Sequence, residues 1–188
     1  MRDPILCDYP ETIDTPYQHM RLARKGDGPL LYQALLELFE QNLQPDAPIN
    51  HHRPSQTGVE AACREAHAEW ILRERLLLLS FDRQTGELTC SVGLQNMRWL
   101  EGVHEISLWT RPAWKNSGRL SDALMHLVAY SFMILNARRL SCVVPASQTT
   151  LCESLLLAGL REESVLQDYY PNDAGVLFGI GRSHIGMR

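Results

Sequence analysis

Apolar residues recur at three- and four-residue steps in three stretches of the chain, and alternate or run together in between. Leu31, Ala34, Leu35, Leu38, Phe39 and Leu43 draw one apolar stripe, which predicts a helix over 30–43 with Pro29 near its first position. Val59, Ala62, Ala66, Trp70 and Ile71 do the same over 58–75, with Arg64, Glu65, Arg73 and Glu74 on the other face. The clearest stripe is Leu120, Leu124, Leu127, Val128, Ser131, Ile134 and Leu135, a long helix over 118–135. A shorter helix fits 149–158, stopped by Gly159 as a left-handed cap.

Strand-like runs fill the intervals. LLLLSF at 76–81 and LTCSVGLQ at 88–95 flank a turn bearing Gly86, which reads as an antiparallel hairpin. A third run over 103–110 extends it into a three-stranded meander. The run over 140–144, ending at Pro145, is reached through the long helix, so it should lie parallel to 103–110. A first strand fits 17–23, and a closing strand 176–180 follows the mixed, polar 160–170 and a turn at 171–175. Pro4, Pro10 and Pro16 make 1–16 an irregular arm. Residues 44–57 carry Pro45, Pro48, Pro54 and the pair His51-His52, a long loop whose histidines are either solvated or hold a ligand. The expected class is α/β (α+β): one domain over 1–188, a mixed sheet of about six to seven strands, and about four helices.

Composition narrows the function. The 188 residues suit one domain, with 45% hydrophobic and 21% charged residues. A formal net charge of -4 gives no global attraction for nucleic acid or anionic membrane, so neither is an expected partner. Cys7, Cys63, Cys90, Cys142 and Cys152 are scattered without a CxxC pair, which points to neither disulfides nor zinc and fits a reducing cytoplasm. No export signal or membrane span is legible.

The stretch 104–124, HEISLWTRPAWKNSGRLSDAL, joins a strand to a helix through Asn116, Ser117 and Gly118. A helix opening from small residues presents free N–H groups and a positive dipole end, a seat for phosphate. The simpler reading is that Ser117 or Asn116 only caps a core helix.

In its order of elements the chain resembles the GNAT superfamily of N-acetyltransferases, and within it the RimJ/RimL-like branch, from about Thr12 to about Ile180. The hairpin FDRQTGELTCSVGLQ, the EISLW run, WKNSGRLSDAL and AGLREESVLQDYY carry the likeness. The resemblance implies that acetyl-CoA enters a gap between the strand over 103–110 and the helix after it. Leu108, Trp109 and Thr110 would contact pantetheine, and Lys115, Asn116, Ser117, Gly118 and Arg119 would cradle pyrophosphate, Lys115 and Arg119 adding charge. Two departures stand out. In the cradle, Leu120 fills the family's last small position and Asn116 replaces a further Gly. Before the next helix the family's Asn is missing, leaving Gln148 with Leu151, or Ser147 with Thr150, to serve there.

The chemistry implied is direct transfer of an acetyl group to a primary amine, on a protein N-terminus or a small molecule. Glu105 is the candidate base, directly or through water, or else a rim carboxylate. A backbone N–H among residues 108–110 would polarise the thioester carbonyl. Thr150, Tyr169 and Tyr170 are candidates for protonating the thiolate. Cys142 and Cys152 read as core, His67 and His126 as packed or surface residues, and Trp99 and Trp114 as walls of an acceptor pocket, Trp114 equally as a clamp on its loop. The expected partners are acetyl-CoA and an amine acceptor, with a homodimer compatible. The departures motivate a second reading, a GNAT-fold protein without efficient catalysis that acts as an acyl-CoA-responsive or protein-binding module.

Overall fold

Residues 3–41 and 53–185 are described by a computed structural model. The elements run β1 (Thr12–Asp14), β2 (Gln18–Leu22), α1 (Gly28–Glu40), α2 (Gln56–Ile71), β3 (Leu76–Asp82), β4 (Leu88–Arg98), β5 (Val103–Thr110), α3 (Arg119–Met133), β6 (Arg139–Pro145), α4 (Thr149–Leu157), β7 (Arg161–Tyr170) and β8 (Asp173–Gly181). The eight strands form one sheet in the order β1-β2-β3-β4-β5-β6-β8-β7. All neighbours are antiparallel except β5 and β6, the pair joined through α3.

The eight strands exceed the six to seven expected, for two local reasons. The arm contains β1, which pairs with β2 from Thr12↔Arg21 to Asp14↔His19. The polar 160–170 segment is the edge strand β7, exposed along most of its length because it has a neighbour on one side only. Helix α2 starts earlier and ends earlier than periodicity suggests. Ser55 accepts a hydrogen bond from the Gly58 N–H at 3.2 Å and starts it at Gln56, while Arg73 with φ +62° stops it. His51, His52 and the rest of 44–52 lie outside the described residues.

The two faces of the sheet are covered differently. Ile106 and Leu108 pack with Leu124, Leu127, Leu155 and Phe178 on the α3/α4 face. Trp109, Leu79 and Leu88 pack with Leu31, Leu35, Leu38 and Val59 on the α1/α2 face. Full burial of each such leucine stabilises by about 2 kcal/mol. Among the described residues no helix is long and apolar enough to cross a membrane.

One core residue predicts a pH dependence. His104 is fully buried with Trp99 edge-on at 5.3 Å, and neither ring nitrogen has a hydrogen-bond partner among the described residues. Burial pushes its pKa down to about 4. The native state therefore holds it neutral, while the unfolded chain protonates it below about 6.5. Its contribution to stability is complete above pH 6.5 and falls by about 3 kcal/mol as the pH drops to about 4. Urea unfolding at pH 7.5 and pH 5 should show about 2 kcal/mol of this loss in the wild type and a flatter dependence in His104→Leu.

Candidate active site

Backbone pairing locates a split in the sheet. Strands β5 and β6 pair from Val103↔Arg139 to Glu105↔Ser141, yet β5 runs on to Thr110 and β6 to Pro145. Each keeps its outer neighbour throughout, β5 with β4 to Cys90↔Thr110 and β6 with β8 to Pro145↔Gly175. Beyond Glu105, then, two half-sheets face each other across a gap.

The phase of the ladders says which groups line it. The Arg111 N–H bonds the Thr89 carbonyl at 2.9 Å, and alternate residues of an antiparallel strand turn to the same neighbour. Ser107 and Trp109 therefore turn their backbone to β4, while Leu108 and Thr110 turn theirs into the gap. On the other wall the Ala146 N–H bonds Ala174 and the Arg182 N–H bonds Arg138, both at 2.9 Å. By the same alternation Cys142 and Val144 face β8, and Val143 faces the gap. The gap is thus strand against strand, not strand against the following helix as the resemblance suggested. Trp109 lends it a side chain rather than its N–H.

Side chains from four elements close the mouth. Trp109, Thr110, Pro112, Lys115, Gln148 and Thr150 line one cleft, with Leu38 of α1 and Leu151 of α4. Five of these are residues singled out by sequence: Trp109, Thr110, Lys115, Gln148 and Thr150. Ser147 is occupied elsewhere, its hydroxyl donating to Asp173 at 2.7 Å and tying this loop to the β7–β8 turn. Glu105, the last paired residue of β5, sits at the apex of the gap. It is exposed, and its odd position gives it the α1/α2 face, like Trp109.

The loop entering α3 is shaped by Gly118, the N-cap, at φ +75°. A Cβ there would meet nothing within 4 Å, so glycine is required by the backbone and leaves open space above the helix start. Ser117 donates its hydroxyl to the Trp114 carbonyl at 2.7 Å and accepts from the Arg119 N–H at 3.3 Å. Leu120 is 2% exposed and packs with the α3-face core. It does not narrow the phosphate seat.

Arg119 corrects the expected charge of the cradle. Its Nη2 lies 2.7 Å and its Nε 2.9 Å from Oδ2 of Asp82, and its guanidinium lies over Tyr17. The N–H of Thr85, and then this arginine, hold the Asp82 carboxyl below the usual carboxylate range. Asp82 is almost wholly buried and needs a cation, so Arg119 is committed to it. Lys115 is exposed and has no ion pair among the described residues, which leaves it as the cradle's available charge.

Two further anchors were not anticipated from sequence. Gln18 is fully buried and donates through Nε2 to the Arg119 carbonyl (2.8 Å) and Asp122 Oδ2 (2.9 Å). Its Oε1 accepts from Ser80 (2.8 Å) and Thr89 (2.6 Å), and Thr15 also donates to Asp122 at 2.6 Å. The start of α3 is thereby bolted to β2, β3 and β4. Arg111 donates from one guanidinium edge, Nη2 and Nε, to the two Glu37 carboxylate oxygens at 2.5 and 3.0 Å and clamps α1 beside the cleft. No motif signals either one, because the partners are far apart in sequence.

On the far wall the hydroxyl that reaches β6 belongs to Tyr170, which donates to the Val143 carbonyl at 3.0 Å. Tyr169 is 54% exposed and packs edge-on against Tyr170. Tyr170 therefore points its hydroxyl at the gap wall, and Tyr169 does not line the cleft. The cysteines offer no covalent route there: Cys142 is buried, and burial pushes the Cys152 thiol up.

A sheet split between two parallel strands, with a glycine-started helix below the split, is the architecture of the GNAT N-acetyltransferases. Solved structures of that fold superpose on nearly the whole chain. RimJ from Mycobacterium smegmatis in complex with a CoA disulfide matches with a TM-score of 0.76 at 18% identity, over 89% of this chain and 83% of its own. The RimL ribosomal L7/L12 α-N-protein acetyltransferase in complex with coenzyme A matches with a TM-score of 0.81 at 15% identity, over 91% and 98%. The microcin C7 self-immunity acetyltransferase MccE, in complex with acetyl-CoA and AMP, gives 0.80 at 12% identity, over 92% and 97%. No protein-family model and no curated protein sequence matches the chain.

Proposed function

We propose that this protein is an acetyl-CoA-dependent N-acetyltransferase that moves an acetyl group directly onto a primary amine, of a protein N-terminus or a small molecule. The observation that carries the reading is the gap itself. The backbone groups of Leu108 and Thr110 face it unpaired by β6, and it leads to an open, glycine-started helix N-terminus with Lys115 beside it. An amide-bearing arm would pair along β5 as an added strand, and a pyrophosphate would sit at the helix start.

The residues fit that cosubstrate. Leu120 leaves the seat clear, and Gln148 brings a side-chain amide to the cleft where the resemblance expects Asn. The second reading, loss of efficient catalysis, drew on Leu120 and loses that support. In the reaction the amine nitrogen bonds the thioester carbonyl carbon and the C–S bond breaks. Glu105 takes the proton from the amine, the N–H of Leu108 or Thr110 stabilises the developing oxyanion, and a proton reaches the thiolate from Thr150 or Tyr170. Calorimetry tests the base of the scheme: saturable binding of acetyl-CoA is expected, and no heat at millimolar acetyl-CoA rejects it.

A further inference from the structure

We propose that Asn96 is a positioning residue for the Glu105 carboxylate, an assignment that rests on reading Glu105 as the base. Strand β4 pairs in step with β5 up to Gln95↔Glu105, and the next pair is Arg98↔Val103. Asn96 and Met97 together therefore oppose the single residue His104, which is a β-bulge. Asn96 takes φ +47°, a left-handed conformation that asparagine tolerates better than other residues with a side chain. The bulge re-aims its amide, and Nδ2 donates to Glu105 Oε2 at 2.7 Å.

The bulge is held from both sides. Trp99, three residues on, donates its indole N–H to the Arg73 carbonyl at 2.7 Å and packs on buried His104. Before the bulge, β4 is buried through Leu94. A donor on so fixed a backbone can orient a side chain that is otherwise exposed and free to change rotamer. It engages one carboxylate oxygen and leaves Oε1 without a hydrogen bond among the described residues, on the exposed residue at the last β5–β6 pair. The choice of donor matters chemically. An arginine or lysine at this place would neutralise the carboxylate and quench its basicity; a neutral amide orients it and leaves the charge. Glycine would satisfy the backbone at φ +47° equally well but would supply no donor.

That difference gives the test. Asn96→Gly keeps the bulge and deletes the hydrogen bond, and Asn96→Asp keeps the shape and sets a like charge beside Glu105. Thiol release from acetyl-CoA is followed against pH with spermine and a Ser-initiated peptide as acceptors. Asn96→Gly is expected to fold as the wild type, keep the KM for acetyl-CoA, and lose roughly three- to tenfold in kcat. In both variants the acid limb of the pH–rate profile moves to higher pH, further in Asn96→Asp. In a Glu105→Gln background Asn96→Gly should have no added effect. A wild-type rate and profile in Asn96→Gly overturns the assignment, as does an equal loss in the Glu105→Gln background. A wild-type rate in Glu105→Gln alone rejects the base and the positioning role together, which separates the two failures. A second readout needs no acceptor: the Asn96 side-chain amide NMR signal should shift with pH in the wild type and lose that shift in Glu105→Gln. The same pH course in both proteins overturns the assignment.

Discussion

Glu105→Gln is expected to lower the rate of acetyl transfer by roughly 10²–10⁴-fold, while calorimetry shows acetyl-CoA bound with wild-type affinity. A primary amine is protonated at neutral pH and cannot attack until it loses that proton. Glu105 is the carboxylate at the place where the β5–β6 pairing ends, so it stands next to the point where a carbonyl lying along β5 would be attacked. Glutamine keeps the size and the contact with Asn96 but cannot accept the proton. The assay is thiol release with a panel of α-amino peptides, amino acids and polyamines. Turnover within twofold of the wild type on the best acceptor would reject Glu105 as base, and a parallel loss of cofactor affinity would point to a role in binding instead.

Gln18→Leu carries the largest expected effect on stability, a loss of about 2–4 kcal/mol. Gln18 uses its amide fully: two hydrogen bonds donated, two accepted, in a place without exposure. Leucine fills the space but leaves the Ser80 hydroxyl and the Arg119 carbonyl short of partners, and removes one of the hydrogen bonds to the Asp122 carboxylate. For a chain of this length the melting temperature should fall by roughly 5–15 °C. The same bonds hold the first turn of α3 against the sheet, so acetyl-CoA affinity should fall with it, by about tenfold. Unfolding in urea checks the first part and calorimetry the second. A variant within about 0.5 kcal/mol of the wild type, the range of an ordinary surface substitution, would show that the network does not carry that weight.

The helices, the β3–β5 meander and the parallel β5–β6 pair were legible in the sequence because each rests on local periodicity or on the handedness of a crossover. The site was legible in part for the same reason. Trp109, Thr110, Lys115, Gln148 and Thr150 belong to segments whose order along the chain already places them at strand ends and helix starts, and they converge on one cleft. Arg119 was misjudged because its partner, Asp82, lies at the end of β3, 37 residues away. Choosing between Tyr169 and Tyr170 required the twist of a hairpin edge, where adjacent side chains point to opposite faces and the bulge at Asp168, φ +54°, resets which is which.

By itself the sequence determined which segments become helices and strands, since apolar spacing of 3.6 or 2 is a property of neighbours along the chain. It also determined where the chain can turn into α3, because glycine at position 118 takes φ +75° without strain. Tertiary structure alone decided that Leu120 turns into the core, that Arg119 answers Asp82, that Asn96 reaches Glu105, and that Gln18 meets Asp122 across 104 residues of chain. The physical reason is common to all four. A buried or aimed polar group is satisfied by whatever the fold brings within about 3 Å, and that neighbour is set by the pairing of distant strands rather than by any residue nearby in the chain.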